Sequence, residues 1–155
     1  MICAYKKRSV LFEYIRAIKH ISFAPHKAAG ILIICSEDKS IYLMKRSSIV
    51  LMSGTWAIPG GSVKEGEKPF IGALRECFEE MGSVPIPVDK IGEVSLFYYT
   101  TYAYDITLNA KIYWRPIINC EHSDARWFSL DNLPRNLHPG VKYAINKLDL
   151  RRRHV

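Results

Sequence analysis

Three glutamates, Glu76, Glu79 and Glu80, stand close together near the end of the segment 69–81. In a helix, which advances about 100° per residue, they fall at i, i+3 and i+4, so their carboxylates share one face a single turn apart. The segment is expected to be helical from Pro69 to Met81, because proline is preorganised for the first helical position and Gly82 can end the helix. Phe70, Leu74, Cys77, Phe78 and Met81 take the apolar side, which must be core, and Gly72 and Ala73 share the acidic face and leave space beside it. Three crowded anions repel one another, and near a helix C-terminus the dipole disfavours them further. Hard divalent cations, Mg²⁺ or Mn²⁺, are the natural counter-charge, since they take carboxylate oxygens and bridge to substrate phosphates. Arg75 can orient a neighbouring carboxylate with its planar fork. An acidic triplet by itself is more often a solvated face. The surrounding residues shift that balance.

From Gly61 to Ser83 the chain reads GSVKEGEKPFIGALRECFEEMGS, or G-x5-E-x7-R-E-x-x-E-E-x-G. This resembles the Nudix box, the signature of the Nudix hydrolases, at every charged position and both glycines. It departs at Cys77 and Ser83, where the family has bulky aliphatic residues; Val84 can take the second core position after a one-residue shift. The segments AGILIIC, GTWAIPGG and ARWFSLDNLP also look like the family, so the likeness covers about residues 28–135 and leaves 1–24 outside. It implies an α/β/α sandwich with a mixed β-sheet between helices. It further implies that Glu76, Glu79 and Glu80 bind Mg²⁺ (or Mn²⁺) together with the Gly61 carbonyl, and that Glu67 and Arg75 brace the loop–helix–loop. Some members add a loop glutamate six residues before a tryptophan, a spacing that Glu121 and Trp127 match, with Asp124 as the alternative. Glu79 or Glu121 would then be the general base.

The implied reaction is hydrolysis of a pyrophosphate linkage in a nucleoside diphosphate derivative. Such chemistry needs charge neutralisation, an aligned water and a stabilised leaving group, which clustered carboxylates and metal ions supply. Phe97, Tyr98, Tyr99, Tyr102 and Tyr104 offer a base-stacking platform, although aromatics are strand formers and alternation buries about half of them regardless. Tyr98 and Tyr99 lie where members acting on dinucleoside polyphosphates carry a tyrosine; with Arg46 they are the substrate-binding candidates. The proline-rich marker of NADH-cleaving members and the coenzyme A motif are absent. His20, His26, His122, His138 and His154 show no paired ligand spacing and are expected to be surface or locally hydrogen-bonded residues.

Around these residues the patterning predicts an amphipathic helix over 8–21, buried strands at 29–35 and 41–46, a short strand in TWAIP, long strands at 91–103 and 106–118, a short strand at 125–130, and a last helix around 139–149. The expected division is a helical extension (1–24), one hydrolase domain (25–150) and a basic tail (151–155). The 155 residues, 48% hydrophobic and 24% charged, suit one globular domain. Lysine and arginine outnumber aspartate and glutamate by 22 to 15, a formal +7 that suits polyanionic partners. Neither a signal peptide nor a spanning segment is expected, and four scattered cysteines point to neither a zinc site nor a disulfide framework, so a cytoplasmic location fits best. The N-terminal helix suits packing on its own domain or a homodimer contact rather than a membrane. A small nucleotide is the expected substrate. Processing of RNA 5′ ends is a rival suggested by the charge, though no long basic run lies near the box. A non-catalytic nucleotide-sugar or ADP-ribose sensor is a second rival, disfavoured because binding alone needs no such cluster of repelling acids.

Overall fold

The structure, a computed structural model, describes residues 27–152, so the expected helix over 8–21 and most of the basic tail lie outside it. Its centre is strand β1 (Ala28–Cys35), whose residues are nearly all buried. Side chains alternate between the faces of a strand, and here both faces are apolar. Ala29, Ile31, Ile33 and Cys35 enter one core cluster, whereas Leu32 and Ile34 enter another. A strand apolar on both sides has to be covered on both sides, which requires a layered α/β arrangement.

Among the described residues the sheet has seven strands. Strand β2 (Ser40–Arg46) pairs with β1, with the short β3 (Trp56–Ala57) and with β7 (His122–Ser129), all antiparallel. On its other side β1 runs parallel to β6 (Tyr99–Asp105), which pairs antiparallel with β5 (Asp89–Leu96). The sheet is therefore mixed, as expected. Strand β4 (Gly60–Ser62) pairs with the first half of β1, while β2 holds β1 at Ile34 and Cys35. Helix α1 (Pro69–Met81) covers one face through Ala73, Cys77 and Met81; helix α3 (Pro139–Lys147) covers the other through Val141 and Ile145. The α/β/α sandwich is what this sequence forms.

Helix α1 has the predicted bounds, with Pro69 at its start and Gly82 in the left-handed region at its end. Its faces differ from the expectation. Phe78 is 55% exposed, whereas Ala73 is fully buried and Glu80 is only 3% exposed. The core side is thus centred on Ala73, Cys77, Glu80 and Met81, because β1 and β4 approach closely enough to take small side chains and a hydrogen-bonded carboxylate. At the departure from the family pattern, Ser83 Oγ accepts a hydrogen bond from Trp114 Nε1 at 2.9 Å, and Val84 packs on the core as the one-residue shift requires.

Two expected strands need correction. The segment 91–103 turns back at Phe97–Tyr98, so β5 and β6 form a hairpin. The segment 106–118 is not a strand: helix α2 (Leu108–Tyr113) starts there, capped by Thr107, whose side chain accepts from Ala110 N, and by Glu37, whose Oε1 accepts from Leu108 N at 2.7 Å. Such caps satisfy backbone donors that no strand partner is present to take, and they outweigh the β preference of the aromatic residues.

Candidate active site

The glutamate helix is positioned by a backbone that only glycine permits. At Gly60 (φ +152°) an added Cβ would stand 2.4 Å from Ala29 O, and at Gly61 one would stand 2.7 Å from the Glu76 carboxylate. Both close approaches bring the β4 backbone onto the acids. Gly60 N–H donates to Glu80 Oε2 at 2.9 Å, which satisfies this nearly buried carboxylate from the main chain. Tyr99 closes the same corner. Its hydroxyl lies against Gly30 and Gly60, where an added Cβ would come within 2.1 Å and 2.7 Å of it. Burial first, and the Glu80 charge next, push that hydroxyl's pKa up.

Arg75 organises the rest. Its Nε and Nη2 donate to the two oxygens of Glu67, each at 3.0 Å, Nη2 also donates to Ser62 O at 2.7 Å, and Nη1 reaches Glu76 at 2.7 Å and Glu79 at 3.2 Å. A guanidinium used on so many sides is a brace, as the resemblance implied, and it ties the loop after β4 to helix α1. The hydrogen bonds from Arg75, reinforced by the Lys64 N–H, lower the Glu67 pKa to about 2. The same contacts raise that of Arg75.

All nine residues singled out for the site, Arg46, Gly61, Arg75, Glu76, Glu79, Glu80, Tyr98, Tyr99 and Glu121, line one open cleft of about 900 Å³. Glu121 enters it from the loop before β7. Asp124 does not line it: that side chain accepts from Arg126 at 2.6 Å, which lowers its pKa. Tyr98 is exposed at the hairpin turn, but Tyr99 packs on the core and has only part of its surface toward the cleft. His122 is buried beside Asn119 rather than in the cleft.

Hard oxygen donors of the kind that hold divalent cations are gathered here: Glu76 against Gly61, Glu80 at the Gly60 amide, and Glu79 one turn on from Glu76. The Glu76 and Glu79 carboxylates both accept from Arg75 Nη1. Among the described residues no three acidic, histidine or cysteine side chains already enclose an ion. The donor chemistry fits a divalent metal, with Arg75 supplying part of the counter-charge.

The sequence did not single out Leu51, Met52, His138 and Tyr143, which also line the cleft. His138 was expected to be surface or locally hydrogen-bonded, and its Nδ1 does accept from Gly140 N at 3.1 Å. The signal available was the His-Pro start of a helix, which marks a cap but not a cleft. No helix among the described residues is long and apolar enough to cross a membrane.

The chain is similar to an 8-oxo-dGTP diphosphatase of Proteus vulgaris, 37% identical over 57 residues, which are 37% of this chain and 49% of that one. It is similar to an RNA pyrophosphohydrolase of Rickettsia bellii (strain OSU 85-389), 34% identical over 65 residues, 42% of this chain and 38% of that one. It spans less than half the length of these curated relatives. In fold it is similar to the crystal structure of a C. elegans Ap4A hydrolase binary complex, with a TM-score of 0.64 at 20% identity, covering 79% of this chain and 96% of that one. The family described as NUDIX domain matches residues 24–148, so this chain belongs to the NUDIX family.

Proposed function

We propose that this protein hydrolyses a pyrophosphate linkage in a nucleoside diphosphate derivative, dependent on Mg²⁺ or Mn²⁺. The observation that carries the reading is the convergence of Glu76, Glu79, Glu80, Gly61 and Glu121 on one cleft, with Arg75 bracing the acids. Glu76, Glu79, Glu80, Glu121 and the Gly61 carbonyl would hold the metal. When bound, a divalent ion neutralises phosphate charge and lowers the pKa of a bound water. The protein's own part is to fix the diphosphate against β4 and to take the proton from the attacking water. A P–O bond forms to that water, the anhydride P–O bond breaks, and the proton passes to a carboxylate, Glu79 or Glu121. Glu121→Gln slowing turnover far more than Glu79→Gln assigns the proton to Glu121; the reverse assigns it to Glu79.

On this reading the hydrolase domain occupies residues 25–150 and acts in the cytoplasm. The test is a panel of nucleoside triphosphates, nucleotide sugars, ADP-ribose, dinucleoside polyphosphates and triphosphorylated RNA, with each metal at low and high salt. Metal-dependent release of phosphate or of a nucleotide product, fastest on a small nucleotide and shallow in its salt response, is the expected result. The likeness to an RNA pyrophosphohydrolase and the +7 charge favour a second reading, RNA 5′-end processing. Faster RNA turnover that falls steeply with salt and needs residues 150–155 would establish it instead. A chain inert on the whole panel with both metals would overturn the hydrolase reading.

A further inference from the structure

The cleft has a second end whose chemistry differs from that of the glutamates. Tyr99 closes the acidic end, its hydroxyl against Gly60, whose amide holds Glu80, whereas Arg46 N–H donates to Thr55 O at 2.9 Å, next to Trp56, whose carbonyl accepts from His138 N–H. The lining therefore groups Tyr99 with the acids, and Arg46 with His138. Arg46 Nε donates to Leu51 O at 2.7 Å, which fixes the guanidinium.

His138 is held firmly. Its own N–H donates to Trp56 O at 2.8 Å, Trp56 N–H donates to Asn136 O at 2.8 Å, and the ring caps helix α3, with Nδ1 accepting from Gly140 N at 3.1 Å. A nitrogen that accepts from an amide carries no proton, so the neutral ring bears its hydrogen on Nε2. Nε2 lies across the ring from Gly140 and has no partner among the described residues, in a side chain that lines the cleft. Burial and the nearby Arg46 lower the ring's pKa, which favours this neutral form. The first amides of helix α3 do not offer a phosphate seat: Gly140 N is taken by the ring and Val141 N by His138 O at 3.0 Å. This end of the cleft thus presents a neutral, fixed donor.

We propose that His138 reads the nucleobase, its Nε2–H donating to the acceptor edge of a keto-bearing base, guanine in the first place, while the diphosphate runs past Arg46 to the glutamates. The proposal rests on the hydrolase reading for the direction in which the nucleotide lies. Guanine offers two adjacent acceptors, O6 and N7, on one edge; adenine sets an amino donor beside N7, which faces the histidine donor unfavourably. His138 is a specificity-determining residue in this scheme and takes no part in bond breaking.

Binding of nucleoside monophosphates to the full chain without metal, followed by NMR titration, tests it. GMP is expected to bind about three- to tenfold more tightly than AMP, the range of one net hydrogen bond. His138→Asn keeps a good helix cap but places no donor at the Nε2 position, so GMP affinity should fall to the AMP level while AMP affinity stays unchanged. Equal affinities in the parent protein, or undiminished GMP preference in His138→Asn, would overturn the proposal. Because this assay needs no turnover, GMP preference in an inert protein would sink the hydrolase reading alone, and turnover without base preference would sink this inference alone.

Discussion

The two rims of the cleft are built in opposite ways. Along the glutamate rim the groups are buried or tied down: Glu80 bonds the Gly60 amide, and Arg75 joins Glu67, Ser62 O, Glu76 and Glu79. Along the mouth rim, Leu51 is 77% and Phe97 89% exposed, and both Met52 (φ +56°) and Phe97 (φ +52°) hold a left-handed backbone that side chains resist. The contrast separates two requirements. Positioned charges need a rigid frame with every polar group matched, whereas contacts to a variable substrate can sit on turns that carry strain and little packing.

Removing a charge from the rigid rim should have the largest effect. Glu80→Gln keeps the side chain's shape, yet turnover is expected to fall about a hundredfold or more, as for other electrostatic groups in active sites. Thermal melting should still show a cooperative fold. Turnover within about twofold of the parent, measured with saturating Mg²⁺, would move metal binding away from this carboxylate.

The frame itself gives the next largest effect. A Cβ at Gly60 would collide with Ala29 O and the Gly30 Cα, both at 2.4 Å, and the φ of +152° is strained for any side chain. Gly60→Ala is therefore expected to cost about 3 kcal/mol in chemical denaturation, combining backbone strain with overpacking. A loss below about 1 kcal/mol would mean that β4 can withdraw from β1, and the rim would not be rigid.

This division also explains what could be read from the sequence. The bounds of α1 and the hairpin of β1 and β2 were legible because spacing within one helix and alternation along a strand are local properties, whereas Gly61 and Glu121 entered only through the likeness to the Nudix hydrolases. The burial of Glu80 and Ala73 was not, since it depends on how closely β4 approaches the helix, a distance no helical wheel contains. Helix α2 was missed for a similar reason. Its cap from Glu37 comes from a segment distant in sequence, and the run of β-formers from Ile106 to Ile118 outweighed the one local sign, Thr107. His138 reached the cleft through β3 pairing and the placement of α3, so its type and spacing carried no signal.

A smaller effect belongs to the brace. The folded Glu67 pKa of about 2 lies below its ordinary 4.5, so its contribution to stability is fully present above about pH 4.5 and is lost as pH falls toward 2. Glu67→Gln should lower Tm at neutral pH and remove that part of the decline between pH 5 and 2. Parallel Tm profiles for the parent and the variant across this window would show that Arg75 gains nothing from Glu67 in the folded state.

The smallest expected change lies on the mouth rim, and it runs in the other direction. Glycine adopts the left-handed region freely, so Phe97→Gly relieves backbone strain at the turn between β5 and β6. The side chain it removes is almost wholly in solvent, so little packing is lost. Against this, glycine adds entropy to the unfolded chain, about 0.4–1 kcal/mol. The net result should be a Tm equal to or slightly above the parent's, with stability changed by no more than about 1 kcal/mol. If Phe97 covers a bound base, KM for the preferred nucleotide should rise several-fold while kcat is held, because contact made equally in ground and transition states affects binding alone. A clear loss of stability with unchanged KM would reverse the assignment, making Phe97 a structural residue of the hairpin and leaving the mouth rim without a role in binding.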